Sequence, residues 1–519
     1  VANKLNNPSL SKRAKKLGNR YWRLNHLYYQ LDEDGNRFLF KMNVVQRILY
    51  FALHWLNIIP KSRQHGITTF ISIFMLDACL FNSNVRAGLI AHKLADAKKI
   101  FRDKIKYAYD NLPSDLRGCI TLLKDDSQEL LFSNNSSIYV GTSMRSGTLQ
   151  YLHVSEYGWV CTHAPKKAEE IKSGAIETVH AGGFIFIEST FEGPVGDFAD
   201  MTDLAEALML ANKDLGPMDY KLHFFPWHEK ASNRTEPKYV EISNRQHEYF
   251  DKLEEIFSKV IAIEQRAWYV AKKKTLKHLM FKQHPSTLEE ARVAAVEGSY
   301  YDLEISQARE DDRICTVPHN PRFPVHTVCD LGIMVNTPWI FFQVIDLRVH
   351  TIDCFCLDKK DDARGGMAFY KSMLDKKRGA HRYNYGKYFC PSDISKEEQG
   401  TGVSLYDTAK QQGIVFTKLP REMSVLDGIE RVTNLFPSLW IDSEKCKPLV
   451  KALASYRREW VESLGMYAEK PVHDSASHYA DAMRYLSMVI EKEMYIMVEQ
   501  NKVSDSEIAD WGRKYRRVG

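Results

Sequence analysis

Short apolar runs alternate with longer stretches of helical spacing through the first half of the chain. Leu56, Ile58, Ile59 and Pro60 form one run, and Thr69-Phe70-Ile71-Ser72-Ile73-Phe74-Met75-Leu76 follows at roughly helical spacing. Ala87-Gly88-Leu89-Ile90-Ala91 is a second run, ahead of a helical pattern over 94–109. Leu130-Leu131-Phe132 and Ser137-Ile138-Tyr139-Val140 have the look of a hairpin. Tyr151-Leu152-His153-Val154-Ser155 ends in Glu156, and Gly183-Phe184-Ile185-Phe186-Ile187 ends in Glu188-Ser189-Thr190. This alternation predicts an α/β sheet with helices on its faces. Upstream, the aromatic stretch at 21–29 is expected to pack on a helix, and an amphipathic segment runs over 40–55.

A different rhythm starts near residue 238. Residues 238–285 are charged and helical in pattern, and Lys272-Lys273-Lys274 offers either a DNA contact or a solvated face. Beyond Gly298-Ser299-Tyr300-Tyr301, three strand-like runs at 325–329, 339–345 and 349–355 predict an antiparallel meander. A helical pattern at 366–376 leads to Lys387-Tyr388-Phe389-Cys390-Pro391, a strand ending in Ser392-Asp393. The last long helix carries His473-Asp474 through Tyr485-Leu486. The expected division is an arm and first α/β domain at 1–237, a helical linker or subdomain at 238–310, a second domain at 311–495 and a basic tail at 496–519.

Composition narrows the class. The 519 residues are 44% hydrophobic and 26% charged, as in ordinary globular proteins. A net charge of +5 leaves any nucleic-acid contact to local patches. Nine cysteines without a C-x-x-C pair argue against a disulfide framework or a zinc ribbon and point to a reducing compartment. No apolar run approaches the roughly 20 residues of a membrane helix, so the chain is expected to be neither anchored nor secreted.

The loop Lys61-Ser62-Arg63-Gln64-His65-Gly66-Ile67-Thr68-Thr69 carries the candidate chemistry of the first domain. An ordinary phosphate-binding loop is G-x-x-x-x-G-K-[ST] between a strand and a helix. Here Gly66 and Thr68 hold the second glycine and magnesium-side hydroxyl positions, Ile67 stands where the lysine belongs, and Lys61 where the first glycine belongs. A relocated cation still reaches phosphates; a basic helix N-cap is the plain alternative. Gln46, upstream, can read an adenine edge by donating and accepting at once, or be a surface glutamine. Glu156 is placed as base or water-positioning group, although Ser155 departs from the usual acidic pair. Ser189 and Thr190 can sense the γ-phosphate, and Arg145 can reach the nucleotide in cis.

In the second domain, Asp330, Asp393 and an acid of the last helix end separate elements, as two-metal phosphodiester hydrolysis requires. Carboxylate and water ligands suit Mg²⁺ or Mn²⁺. Asp474 and Asp481 lie two helical turns apart and can share a face, so either is the third ligand. Asp474 is nearer the helix N-terminus, where the dipole also favours an anion.

In this order, these motifs resemble the large terminase subunit of tailed bacteriophages. The lysine-first loop, Leu152 to Glu156, Phe224-Phe225-Pro226-Trp227-His228, Gly298 to Tyr301, Asp330-Leu331-Gly332 with Thr337, and His473-Asp474 through Arg484-Tyr485 carry the resemblance. It implies an N-terminal P-loop ATPase domain of the additional-strand, helicase-like class and a C-terminal RNase H-like nuclease domain. It implies a motor that hydrolyses ATP to move double-stranded DNA into a procapsid and cuts concatemers with a two-metal endonuclease. It further implies a homo-oligomeric ring, usually a pentamer, on the portal protein, a small terminase subunit as DNA recruiter, and a place in the host bacterial cytoplasm and transiently at the portal vertex.

Carried over by position, Lys61, Arg63 and Thr68 would hold the triphosphate and its metal, with Ser62, Gln64, Gly66 and Thr69 completing the loop and Gln46 on the adenine. Glu156 would be catalytic, Ser189 and Thr190 would couple hydrolysis to movement, and Asp330, Asp393 and Asp474 or Asp481 would be the nuclease acids. The decisive arginine is Arg145 or one from a neighbouring subunit. Rival readings are a helicase-nuclease of repair or restriction, and a non-catalytic DNA-binding capsid-vertex protein.

Overall fold

The apolar runs become the strands of two sheets, one in each of two units, Val1–Ala295 and Val296–Gly519. The computed structural model describes residues 8–500 apart from 145–146, 195, 278, 294–297, 331–336, 357–365, 396–402, 421–423 and 462–465. Arg145, most of the basic tail and part of the N-terminal arm therefore lie outside the described residues.

In the first unit a small hairpin, β1 (Tyr29–Leu31) and β2 (Arg37–Leu39), precedes the main sheet. That sheet is built from β3 (Leu56–Pro60), β4 (Arg86–Ile90), β5 (Leu122–Asp125), β6 (Glu129–Phe132), β7 (Ser137–Gly141), β8 (Leu149–Ser155), β9 (Val179–Ser189) and β10 (Tyr220–Leu222). Its order is β10-β3-β9-β8-β4-β7-β6-β5. The strands from β10 to β7 are parallel; β6 and β5 are antiparallel additions, and β6 with β7 is the hairpin expected near residue 135. One strand, β9, stands between the loop strand β3 and the acidic strand β8. This is the additional-strand arrangement expected for the N-terminal domain.

Because side chains alternate across a strand, each strand feeds two cores. Ile59, Leu89 and Phe186 face the core that contains the helix Ile67–Phe81, whereas Ile58, Leu152, Val154, Ile185 and Ile187 face the core with Tyr157 and Phe198. The helix Ile67–Phe81 is buried from Phe70 through Leu80, so it has no polar stripe to give to solvent. Its one acid, Asp77, is fully buried and accepts from Arg23 at 2.8 and 2.7 Å and from the Tyr28 hydroxyl at 2.7 Å, with Arg20 at 3.2 Å. Arg23 lies on the helix Arg20–His26, which Asn19 caps, so the aromatic stretch packs on the loop helix through this charge cluster. Downstream, the helices Asn244–Phe257, Ile263–Leu276 and Leu279–Gln283 gather around Trp227 with Phe250, Tyr269 and Met280.

The second unit contains β11 (Ile314–Cys315), β12 (Val325–Cys329), β13 (Pro338–Ile345), β14 (Arg348–Cys356), β15 (Tyr385–Pro391), β16 (Phe416–Leu419) and β17 (Leu439–Asp442), in the order β11-β17-β14-β13-β12-β15-β16. β12, β13 and β14 form the antiparallel meander, and β15 and β16 continue parallel to β12. A meander extended by parallel strands beside its first member is the RNase H-like order, as expected. The helix Gly366–His381 covers one face through Met367, Tyr370 and Leu374 against Trp339 and Phe341. The helices Val425–Leu435, Lys447–Ser455 and Ser475–Gln500 cover the other against Ile340, Phe342 and Val344. A separate hairpin, β18 (Arg458–Val461) with β19 (Met466–Pro471), precedes the last helix.

All nine cysteines are free. Among the described residues no helix is long and apolar enough to cross a membrane.

Removing Asp77 leaves two buried or half-buried arginines without their anion. Asp77→Ala is expected to cost about 3–5 kcal/mol, the usual penalty for breaking a buried ion pair from one side, measured as a lower urea midpoint for the first unfolding transition.

Candidate functional site

The loop after β3 is held by its main chain. Lys61 N donates to Ser189 O at 3.0 Å, Ser62 N to Phe225 O at 3.3 Å and Arg63 N to Gln283 O at 2.9 Å. Gln64 and Gly66 are both left-handed, with φ of 66° and 72°. The helix Ile67–Phe81 then begins at Gly66 without any side-chain cap. Its first N–H groups have no acceptor within the helix and carry the positive end of its dipole, the arrangement in which a helix accepts an anion. Arg63 and Gln64 are exposed, Ser62 is buried, and Thr68 and Thr69 are half-buried.

Lys61 turns away from solvent, its side chain 10% exposed. It forms an ion pair with Glu188, stands 3.5 Å from Glu156 Oε1, and donates to Thr68 Oγ1 at 3.4 Å. Burial works to lower the ammonium pKa, but Glu188 and then Glu156 overcome it, and the net shift is upward. Glu188 is fully buried at the end of β9. Its Oε1 accepts from Thr68 Oγ1 at 2.8 Å, from Ser155 Oγ at 2.8 Å and from His153 Nε2 at 3.2 Å. Burial would raise this carboxyl; Lys61 and His153 outweigh it and hold the group well below the usual carboxylate range.

Glu188 and His153 are functional candidates that the sequence motifs did not single out. The signal was there: an acid closing an apolar strand, and a lone histidine inside another.

Glu156 follows β8 in the left-handed region, φ 55°, at the start of the helix Tyr157–His163. A glutamate holds this conformation only where its surroundings fix it, which is common at functional sites. Its side chain is 35% exposed, and Oε2 accepts from Ser189 Oγ at 3.4 Å. The structure thus brings together Lys61, Thr68, Glu156 and Ser189, with Thr190 buried beside them in sequence.

Gln46 sits differently from an adenine reader. Its Oε1 accepts from Asn43 N at 3.0 Å and its Nε2 donates to Gly66 O at 2.8 Å, so both ends of the amide are engaged within the chain. With Asn43 it forms the capping box of the helix Val44–Ala52, and Asn43 Nδ2 also donates to His65 O at 3.1 Å.

In the second unit, Asp330 directly follows β12 and Asp393 lies in the turn Ser392–Ser395 after the adjacent parallel strand β15. Both acids therefore leave the same end of the sheet. The last helix buries Ala480, Met483 and Leu486 against this sheet and carries Asp481 alongside. Burial pushes the Asp330 carboxyl up to about 7, helped by the charges of Asp481 and Asp393 and opposed by Arg484. Asp481 is likewise raised by burial, against the pull of Arg484, His478 and His473, and pairs with Arg484 at 2.9 Å.

Asp474 is employed elsewhere. One oxygen accepts from Arg457 Nη1 and the other from Ala476 N, each at 2.9 Å, which caps the helix. Among the described residues no three His, Cys, Asp or Glu side chains are gathered closely enough to hold a metal ion as they stand.

The chain is similar to the large terminases of several phages. A large terminase from a thermophilic bacteriophage aligns over 86% of this chain and 98% of its own, at 15% identity and a TM-score of 0.29. The HK97 bacteriophage large terminase aligns over 92% of this chain and 98% of its own, at 11% identity and a TM-score of 0.40. The nuclease domain of the P22 large terminase aligns over 36% of this chain and 93% of its own, at 17% identity and a TM-score of 0.26. The thermophilic phage's protein has also been solved with ADP and with ATP-gamma-S. No protein-family model matches the sequence, and no curated protein does.

What each site can do chemically follows from its own groups. The first offers an uncapped helix N-terminus, a lysine and a hydroxyl for phosphates, and a half-exposed carboxylate for a water. The second places the charges of Asp481 and Asp393 within electrostatic reach of the largely buried Asp330, whose carboxyl is raised by burial and then by those charges. A hard divalent cation with oxygen ligands relieves that crowding, so the donor set fits Mg²⁺ or Mn²⁺.

A Cβ at Gly66 would come within 2.6 Å of Gln46 Nε2 in a backbone that L side chains rarely adopt. Gly66→Ala is expected to cost about 1–2 kcal/mol through strain and the loss of that hydrogen bond. With Gln46→Ala in the same chain the two costs should fall short of their sum in urea melts. Strict additivity would show that the contact is not shared.

Proposed function

We propose that this chain is the ATP-driven DNA-packaging motor and nuclease of a tailed phage. The observation that supports this most strongly is the cluster of Lys61, Thr68, Glu156 and Glu188 at the head of an uncapped helix. That cluster occupies one unit, and a second unit brings Asp393 and Asp481 into electrostatic reach of Asp330.

In this reading the first-turn N–H groups, Lys61, Arg63 and the loop residues Ser62, Gln64, Gly66 and Thr69 bind the triphosphate of ATP. Thr68 would hold the accompanying Mg²⁺, which when bound neutralises charge on the phosphates. Glu156 orients or deprotonates the attacking water, and Ser189 with Thr190 relays the loss of the γ-phosphate along β9. Gln46 acts by fixing Gly66. Asp330, Asp393 and Asp481 would hold the two metal ions of the nuclease, and Asp474 positions the last helix. Contacts to double-stranded DNA run through phosphates and ignore sequence. The partners are a portal protein, a small terminase subunit and further copies of this chain in a ring, acting in the host cytoplasm and at the portal vertex. The domain division is an ATPase part, a helical part from about residue 238 and a nuclease part from about 311.

Glu156 is exposed enough to be changed without disturbing the fold. Glu156→Gln should lower ATP turnover by about 10²–10⁴-fold, the range of a lost general base, while ATP still binds. Undiminished turnover would remove Glu156 from the chemistry.

Asp330→Asn should end plasmid cleavage in Mg²⁺ or Mn²⁺ and leave ATP turnover intact. Normal cutting by this variant would show the acidic cluster to be structural.

A further inference from the structure

The first unit lacks an acid where a phosphate-binding site normally has one, at Ser155, and the sheet shows which residue stands nearest to filling the gap. Ser155 of β8 is in register with Glu188 of β9, and Glu188 is in register with Ile59 of β3, two residues before Lys61. Glu188 is thus one strand closer to the loop than Ser155. Its carboxylate also collects the loop's own groups: Thr68 Oγ1 at 2.8 Å on one oxygen and the Lys61 ammonium on the other. Ser155 Oγ and His153 Nε2 hold it from the side of β8.

We propose that Glu188 replaces the acid missing at Ser155, and that it exchanges Lys61 for the Mg²⁺ that accompanies an incoming nucleotide. This rests on the nucleotide reading of the loop. A fully buried carboxylate needs a cation beside it in every state, because an unpaired buried charge is strongly destabilising. Without nucleotide, Lys61 fills that need. If Lys61 swings to the phosphates, Glu188 is left bare unless another cation takes its place. Thr68, which both Lys61 and Glu188 contact, marks that place. The site therefore favours the metal–nucleotide complex and disfavours the free nucleotide. Glu188 acts through Thr68 and Lys61, as a positioning residue.

The test is titration of the full chain with a fluorescent, non-hydrolysable ATP analogue, with Mg²⁺ and with a chelator. Wild type should bind far better with Mg²⁺. Glu188→Gln frees Lys61 and should strengthen Mg²⁺-free binding on the order of tenfold, as expected for release of a charge-assisted hydrogen bond, so the benefit of Mg²⁺ shrinks by that factor. Adding Ser155→Asp to Glu188→Gln returns an acid to the neighbouring strand and should restore the benefit. A purely structural ion pair would move neither ratio.

An unchanged Mg²⁺ benefit in Glu188→Gln overturns the proposal and leaves the nucleotide reading standing. Absence of nucleotide binding by wild type under both conditions overturns both. If Glu188→Gln does not fold, Glu188→Asp carries the test, because its shorter side chain keeps the charge but draws it back from Lys61 and Thr68: a Mg²⁺ benefit different from that of wild type supports the exchange, and an unchanged one overturns it.

Discussion

A carboxylate sealed inside a sheet must keep a counter-charge, and the first unit is arranged around that constraint. Glu188 has no water to turn to, so the lysine of the loop, the hydroxyl of the loop helix, and the serine and histidine of the neighbouring strand all converge on it. Moving any one of them changes the balance of the rest. The position of β9 between β3 and β8 makes this possible, since only a strand in that place can touch the loop and the acidic strand together. Asp77 follows the same rule lower on the same helix, where two arginines and a tyrosine serve one buried acid. The loop helix is thus held by charge at both ends of its buried length.

The fold was largely legible because apolar runs bounded by polar turns are dictated by burial on both faces of a sheet, and both sheets have that character. The loop and Glu156 were legible through spacing alone. Glu188 is not legible in the same way, because an acid closing an apolar strand has the pattern of an ordinary solvated strand end, and its full burial comes from the neighbouring strands. Which strand stands nearest to the gap at Ser155 depends on sheet order, and no local pattern contains sheet order. Gln46 shows the reverse case. Asn43-x-x-Gln46 is a capping-box spacing visible in the chain, and both ends of its amide are spent on Asn43 and Gly66.

The acids of the second unit divide for a similar reason. Periodicity placed Asp474 and Asp481 on one helical face, but their surroundings come from distant parts of the chain. Arg457 and the helix start occupy Asp474, whereas Asp481 rides further along the helix, beside Asp330 and the end of β12. Crowding of like charges at Asp330 is a property of three elements meeting and belongs to none of them singly. The same holds for Arg484, which tempers that crowding from the next turn of the helix.

The short helix Leu279–Gln283 is bonded separately to the loop after β3 and to the segment that follows β9. Gln283 O receives the amide of Arg63, and Lys282 is paired at 2.6 Å with the buried Glu192, just past Ser189 and Thr190. Two segments fastened to one rigid turn share its motion. A displacement of that turn therefore strains both the loop after β3 and the segment just past β9.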